Sequence, residues 1–98
     1  MVQVMRNIFK KQTEQELRTQ AQEGVQAERL LQDETFETLL STLIQKNFSE
    51  WQNTSIQDAP TREKLFLKGQ VINELRQELK KMVERGKASS QTLNKNTT

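Results

Sequence analysis

Any acid–base chemistry in this sequence would have to rest on its thirteen Asp and Glu carboxylates, because histidine and cysteine are both absent. Their absence removes the commonest general base and metal ligand near neutral pH, and the best thiolate nucleophile. A pair of carboxylates works as acid and base only when an apolar pocket pushes their pKa values apart. Here the carboxylates are scattered over faces that read as solvated. The three glycines, at 24, 69 and 86, are too far apart to form a phosphate-cradling loop. The sequence thus nominates no catalytic, cofactor-binding or metal-binding residue, and the expected mode of action is contact rather than turnover.

Contact chemistry has better candidates. Trp51 is the only tryptophan; its simplest role is to close an apolar stripe at the end of a helix, and its sharper one is to anchor a partner. Phe66, Leu67 and Val71 widen an apolar stripe beyond the width one neighbouring helix can cover, which nominates them for partner binding. A second apolar patch, with Met5, Ile8 and Phe9 at helical spacing and Lys10 and Lys11 beside it, is the other partner-binding candidate. Lys64, Lys68, Arg76, Lys80, Lys81, Arg85 and Lys87 could make a phosphate-binding stripe, but Glu74, Glu78 and Glu84 interrupt it. Arg62 and Glu63 read as a solvated helix start, or as a brace in which Arg62 reaches back to the loop or to Glu50.

The elements that must carry these residues are helices. Phe36, Leu39, Leu40, Leu43, Ile44, Phe48 and Trp51 recur every three or four residues, drawing one apolar stripe along about 34–52. Asp33 is placed to cap that helix, with Glu34 and Glu37 near its positive end. Residues 53–60 read as a loop of short polar side chains, and Asp58 is the next cap, with Pro60 tolerated in the first turn. A third helix is expected over about 59–85, with Leu65, Gly69, Ile72, Leu75, Leu79, Met82 and Val83 as its stripe and Gly86 as its left-handed terminator.

Two amphipathic helices with a short loop between them fold back as an antiparallel helical hairpin. Charge favours the pairing: residues 25–50 carry two bases and five acids, and residues 51–86 carry seven bases and five acids. The hairpin core is then Phe36, Leu39, Leu40, Leu43, Ile44, Phe48 and Trp51 against Leu65, Ile72, Leu75, Leu79 and Val83. Residues 10–23 hold only Leu17 and Ala21 as apolar positions, so 1–24 reads as a polar, partner-dependent helical segment ending at Gly24. The expected division is therefore 1–24, a hairpin domain over 25–86, and a mobile tail of Ser, Thr, Asn and Lys over 87–98.

Composition sets the outer bounds. Ninety-eight residues of which 33% are apolar can bury one thin seam. Part of the stability is therefore expected from a partner or a second copy. A net charge of +2 is not the footprint of a dedicated nucleic-acid binder. No stretch is long and apolar enough to cross a bilayer, and the N-terminal charges fall on the wrong side of a short apolar run for a secretory signal.

One arrangement of residues is familiar. Trp51-Gln52-Asn53-Thr54, then Asp58, then Arg62-Glu63-Lys64-Leu65, and a helix closing at Gly86-Lys87-Ala88, resembles a family of short, mostly uncharacterised helical proteins of tailed bacteriophages and prophages. Leu30-Leu31 followed by Phe36 is similar to that family's opening segment, so the likeness spans residues 30–88, while the polar region 10–24 departs from it. Such proteins are often encoded among head-assembly genes. The resemblance implies a phage accessory protein in the virion or the host cytoplasm, binding another protein or itself during assembly. The alternatives are a nucleic-acid-associated protein using the basic third helix, and a small inhibitor of a host protein.

Overall fold

A computed structural model describes residues 12–96, and these are all-α: three helices, α1 (Glu14–Gln32), α2 (Glu34–Gln52) and α3 (Ala59–Asn96). Each start follows from local chemistry. Thr13 and Glu16 form a reciprocal capping box at α1, with the Thr13 hydroxyl accepting from the Glu16 amide at 3.1 Å. The Asp33 carboxylate accepts from the Phe36 amide at 2.8 Å and opens α2. At α3 the Asp58 carbonyl accepts from the Arg62 amide at 3.1 Å, and its carboxylate accepts from Thr61 at 3.4 Å.

The 38-residue α3 is the spine. Its first half runs antiparallel to α2 and its second half antiparallel to α1, and α1 is its more extensive neighbour. The helices lie in a single layer whose Cα atoms span 14 Å in the thinnest direction. Positions turned into the seam follow a strict three–four alternation: Arg62, Leu65, Gly69, Ile72, Arg76, Leu79, Val83 and Gly86, all buried or half-buried. This is the heptad geometry of helices wound at a small angle.

The break at Asp33 has a register reason. Gly24 faces Gly86 and Glu37 faces Arg76. Gly24 and Glu37 are 13 positions apart in sequence, whereas Gly86 and Arg76 are 10 apart. The α1–α2 side thus holds three residues more than the helix it follows. A three-residue insertion would overwind a continuous coiled coil, and the chain releases it by leaving helical geometry at Asp33, with φ −71° and ψ 122°.

Several expectations are corrected. Gly86 is not a terminator: α3 continues through it to Asn96, so residues 87–96, expected as a tail, are helix. Nor does Gly24 end a segment, since α1 runs unbroken across it. The two glycines share one cause. A Cβ built on either would stand 2.8 Å from the Cα of the other, so the helices touch backbone to backbone there. At this crossing small residues make the α1–α3 contact, and hydrophobic periodicity does not register them.

The core differs from the expected hairpin core in two ways. Leu79 and Val83 pack with Ala27 of α1, with Leu31, Phe36 and Met82 around them, and not along the length of α2. Leu39, Leu43, Phe48 and Leu75 are exposed, because a single layer of helices covers only the sides that face a neighbour. Leu40, at 1% exposure, is fully buried, while Phe36, Ile44, Trp51, Leu65 and Ile72 are half-buried.

Candidate functional site

The loop end of the hairpin is braced by a compact set of contacts. The Arg62 guanidinium lies over the Trp51 ring, 4.2 Å from its centroid, and Arg62 Nη1 donates to Thr54 Oγ1 at 2.9 Å. Thr54 in turn donates to the Trp51 carbonyl at 2.6 Å, so the loop, the end of α2 and the first turn of α3 are tied together. Arg62 therefore reaches back to the loop rather than to Glu50. Phe48 stacks on Trp51 at 6.2 Å between ring centroids and 21° between planes.

One turn further, Asn47 Nδ2 donates to the Leu65 carbonyl at 2.9 Å, occupying the space that the missing side chain of Gly69 leaves free. On one side of the layer, Asn47, Phe48, Trp51, Leu65, Phe66 and Gly69 line an open groove of about 330 Å³. It is a shallow, mainly apolar notch with an amide at its floor. Phe66 stands at its rim, 58% exposed.

The three α3 residues nominated for partner binding are all exposed, but the structure does not bring them together. Five positions on a helix turn the side chain by about 140°, so Val71, 64% exposed, does not share the face of Phe66. Leu67 lies between them on the outer edge of α3. Val71 instead shares a side with Leu75. On α2, Leu39 and Leu43 lie on the opposite flank of the seam from Phe48. Phe48 and Phe66 line one groove, so Leu39, Leu43, Val71 and Leu75 belong together on the other face. Sequence periodicity could have separated the two faces once the seam positions were known, but it could not choose the seam. The other partner-binding candidates, Met5, Ile8 and Phe9, lie outside the described residues.

The charged positions divide as well. Arg76 donates from Nη2 to Glu37 at 2.8 Å across the α2–α3 seam, and its Nε is buried without a partner. Lys81 pairs with Glu78 at 3.2 Å on the exposed side of α3. Two cations of the proposed phosphate stripe are therefore already engaged with carboxylates. Among the described residues no group of three or more carboxylates is placed to hold a metal ion. Among the same residues no helix is long and apolar enough to cross a membrane.

No family model, curated protein or solved structure matches this chain.

Proposed function

We propose that this chain is a non-enzymatic accessory protein that acts by binding another protein, or itself, through the apolar surfaces of α2 and α3. One observation carries the reading. After the helices have packed, seven large apolar residues of the α2–α3 half remain exposed: Phe48 and Phe66 on one face, Leu39, Leu43, Val71 and Leu75 on the other, and Leu67 on the outer edge of α3. Single exposed apolar residues are ordinary, whereas contiguous ones rimmed by polar side chains mark an interaction surface. The absence of histidine and cysteine favours contact over chemistry. The resemblance of residues 30–88 to small phage proteins supports assembly of the virion head as the setting, in the host cytoplasm or the particle itself.

The test is co-sedimentation with head particles from cells producing the phage. The wild-type chain is expected in the particle fraction or in an assembly intermediate. Phe66→Ser combined with Leu67→Ser should release it while leaving helical circular dichroism unchanged. A chain absent from every particle fraction would remove the head-assembly setting, and a double variant retained like wild type would remove this surface.

A further inference from the structure

The aliphatic face of the α2–α3 layer has a symmetry that its aromatic face lacks. Leu39 and Leu43 lie either side of the level of Ser41 on α2, and Val71 and Leu75 either side of the level of Asn73 on α3. The seam pairs Glu37–Arg76 and Asn47–Leu65 set the two helices in register. Interpolating between them puts Ser41 and Asn73 within about 2 Å of one level along the layer, roughly one and a half residues of helical rise. The four exposed aliphatic side chains are thus arranged around one point.

That arrangement suits an isologous contact, in which each residue meets its symmetry counterpart. We propose that a second copy of this chain covers this face, its layer stacked on the first in an antiparallel four-helix bundle. The twofold axis lies between the layers, perpendicular to the helices, at the level of Ser41 and Asn73. The inference rests on the contact reading above and names the partner for one of the two faces. Under this axis Val71 meets Leu75 of the second copy and Leu39 meets Leu43 of the second copy. Charge follows the same operation: Lys68 and Glu78, both exposed and equally distant from Asn73, are brought opposite one another between copies, twice per dimer, so that Glu78 is shared between Lys81 of its own helix and Lys68 of the second copy.

One further observation favours a second copy: a stable domain is built from two packed layers, and here one layer of helices leaves five buried apolar residues as its whole described core.

The experiment is sedimentation equilibrium of the whole chain with a charge exchange built on the same residues. Wild type is expected at twice its 11.5 kDa chain mass, shifting toward 11.5 kDa on dilution. Val71→Glu with Leu75→Glu should sediment as monomer, as should Val71→Lys with Leu75→Lys, each with its helical circular dichroism retained. Mixed in equal amounts at low salt, the two variants should restore the dimer, because the axis opposes position 71 to position 75. Wild type that stays at 11.5 kDa up to roughly 100 µM, where weak specific association registers, would overturn the proposal, as would variants that remain dimeric. A mixture that stays monomeric would overturn the arrangement of the axis. A monomeric chain that still sediments with heads removes the second copy and keeps the partner reading, whereas a dimer absent from heads does the reverse.

Discussion

At the scale of single residues, the decisive positions are small ones. Gly24 and Gly86 allow two helix backbones to touch, and a Cβ on either would meet the other's Cα at 2.8 Å. Backbone cannot yield as a flexible side chain can. Gly24→Ala or Gly86→Ala is therefore expected to destabilise by about 1–3 kcal/mol through overpacking, even though alanine gains up to about 1 kcal/mol in helix propensity. Gly69 is the internal control. Its Cβ would meet only the Asn47 side-chain amide, which can rotate away at the cost of one hydrogen bond, so Gly69→Ala should change stability by less than about 1 kcal/mol. Urea unfolding of the three variants checks this. Equal losses at all three sites would mean that the close crossing does not exist.

The same residues explain what could be read from the sequence. Asp33 and Asp58 could be recognised as caps because their chemistry is local: a carboxylate three residues before free amides looks the same in sequence as in structure. Gly86 could not be placed. A glycine with Lys and Arg before it and polar residues after it fits a helix terminator, and only the facing Gly24, 62 residues earlier, shows it to be a crossing point. Ser89 is a similar case. It is buried, and donates to Gln20 Oε1 at 2.7 Å, yet nothing in a Ser-Ser dipeptide announces that role.

At the scale of elements, α3 organises the rest. Its length was underestimated from periodicity because the apolar stripe fades beyond Val83, where Gly86 and Ser89 replace large side chains in the seam. The third of the helix that follows is nonetheless part of the surface on which α1 lies, through Gly86 and Ser89. Stopping the chain after Gly86 should therefore do more than remove a tail. Amide hydrogen exchange within residues 14–24 is expected to lose its protection, while the α2–α3 loop end keeps its own, since Asn47, Trp51, Thr54 and Arg62 hold that end independently. The truncated chain should also melt at least about 5 °C lower, the shift expected for roughly 1 kcal/mol in a domain of this size. Unchanged protection in α1 would show that residues 87–96 contribute nothing to its docking. The all-α class and the hairpin over α2 and α3 were legible because two strong stripes flank a short polar loop. The place of α1 was not, since its seam is made of Leu17, Gln20, Gly24 and Ala27, with little contrast between faces.

At the scale of the whole molecule, one layer of helices cannot cover both of its faces, and the apolar residues counted as hairpin core divide accordingly. Leu40 and Phe36 are taken up by the seam; Leu39, Leu43 and Leu75 fall on one face, and Phe48 falls on the other, beside the partner-binding candidate Phe66. Two different surfaces result: an aliphatic one with twofold character, and an aromatic notch braced by Arg62 on Trp51. A molecule with two unlike faces can pair with itself through one and hold a different protein with the other.

The central claim is that these exposed apolar side chains exist for contact and not for the stability of the single chain. Urea unfolding at high dilution, with sedimentation of the same samples at high concentration, tests it directly on Phe66→Ser, Val71→Ser and Leu40→Ala. Leu40 is 1% exposed, so its loss should cost about 2–5 kcal/mol in the dilute monomer. The account predicts that Phe66→Ser and Val71→Ser leave the dilute chain within about 0.5 kcal/mol of wild type, and that Val71→Ser weakens self-association. Losses at Phe66 and Val71 comparable to that at Leu40, with association unchanged, would contradict it.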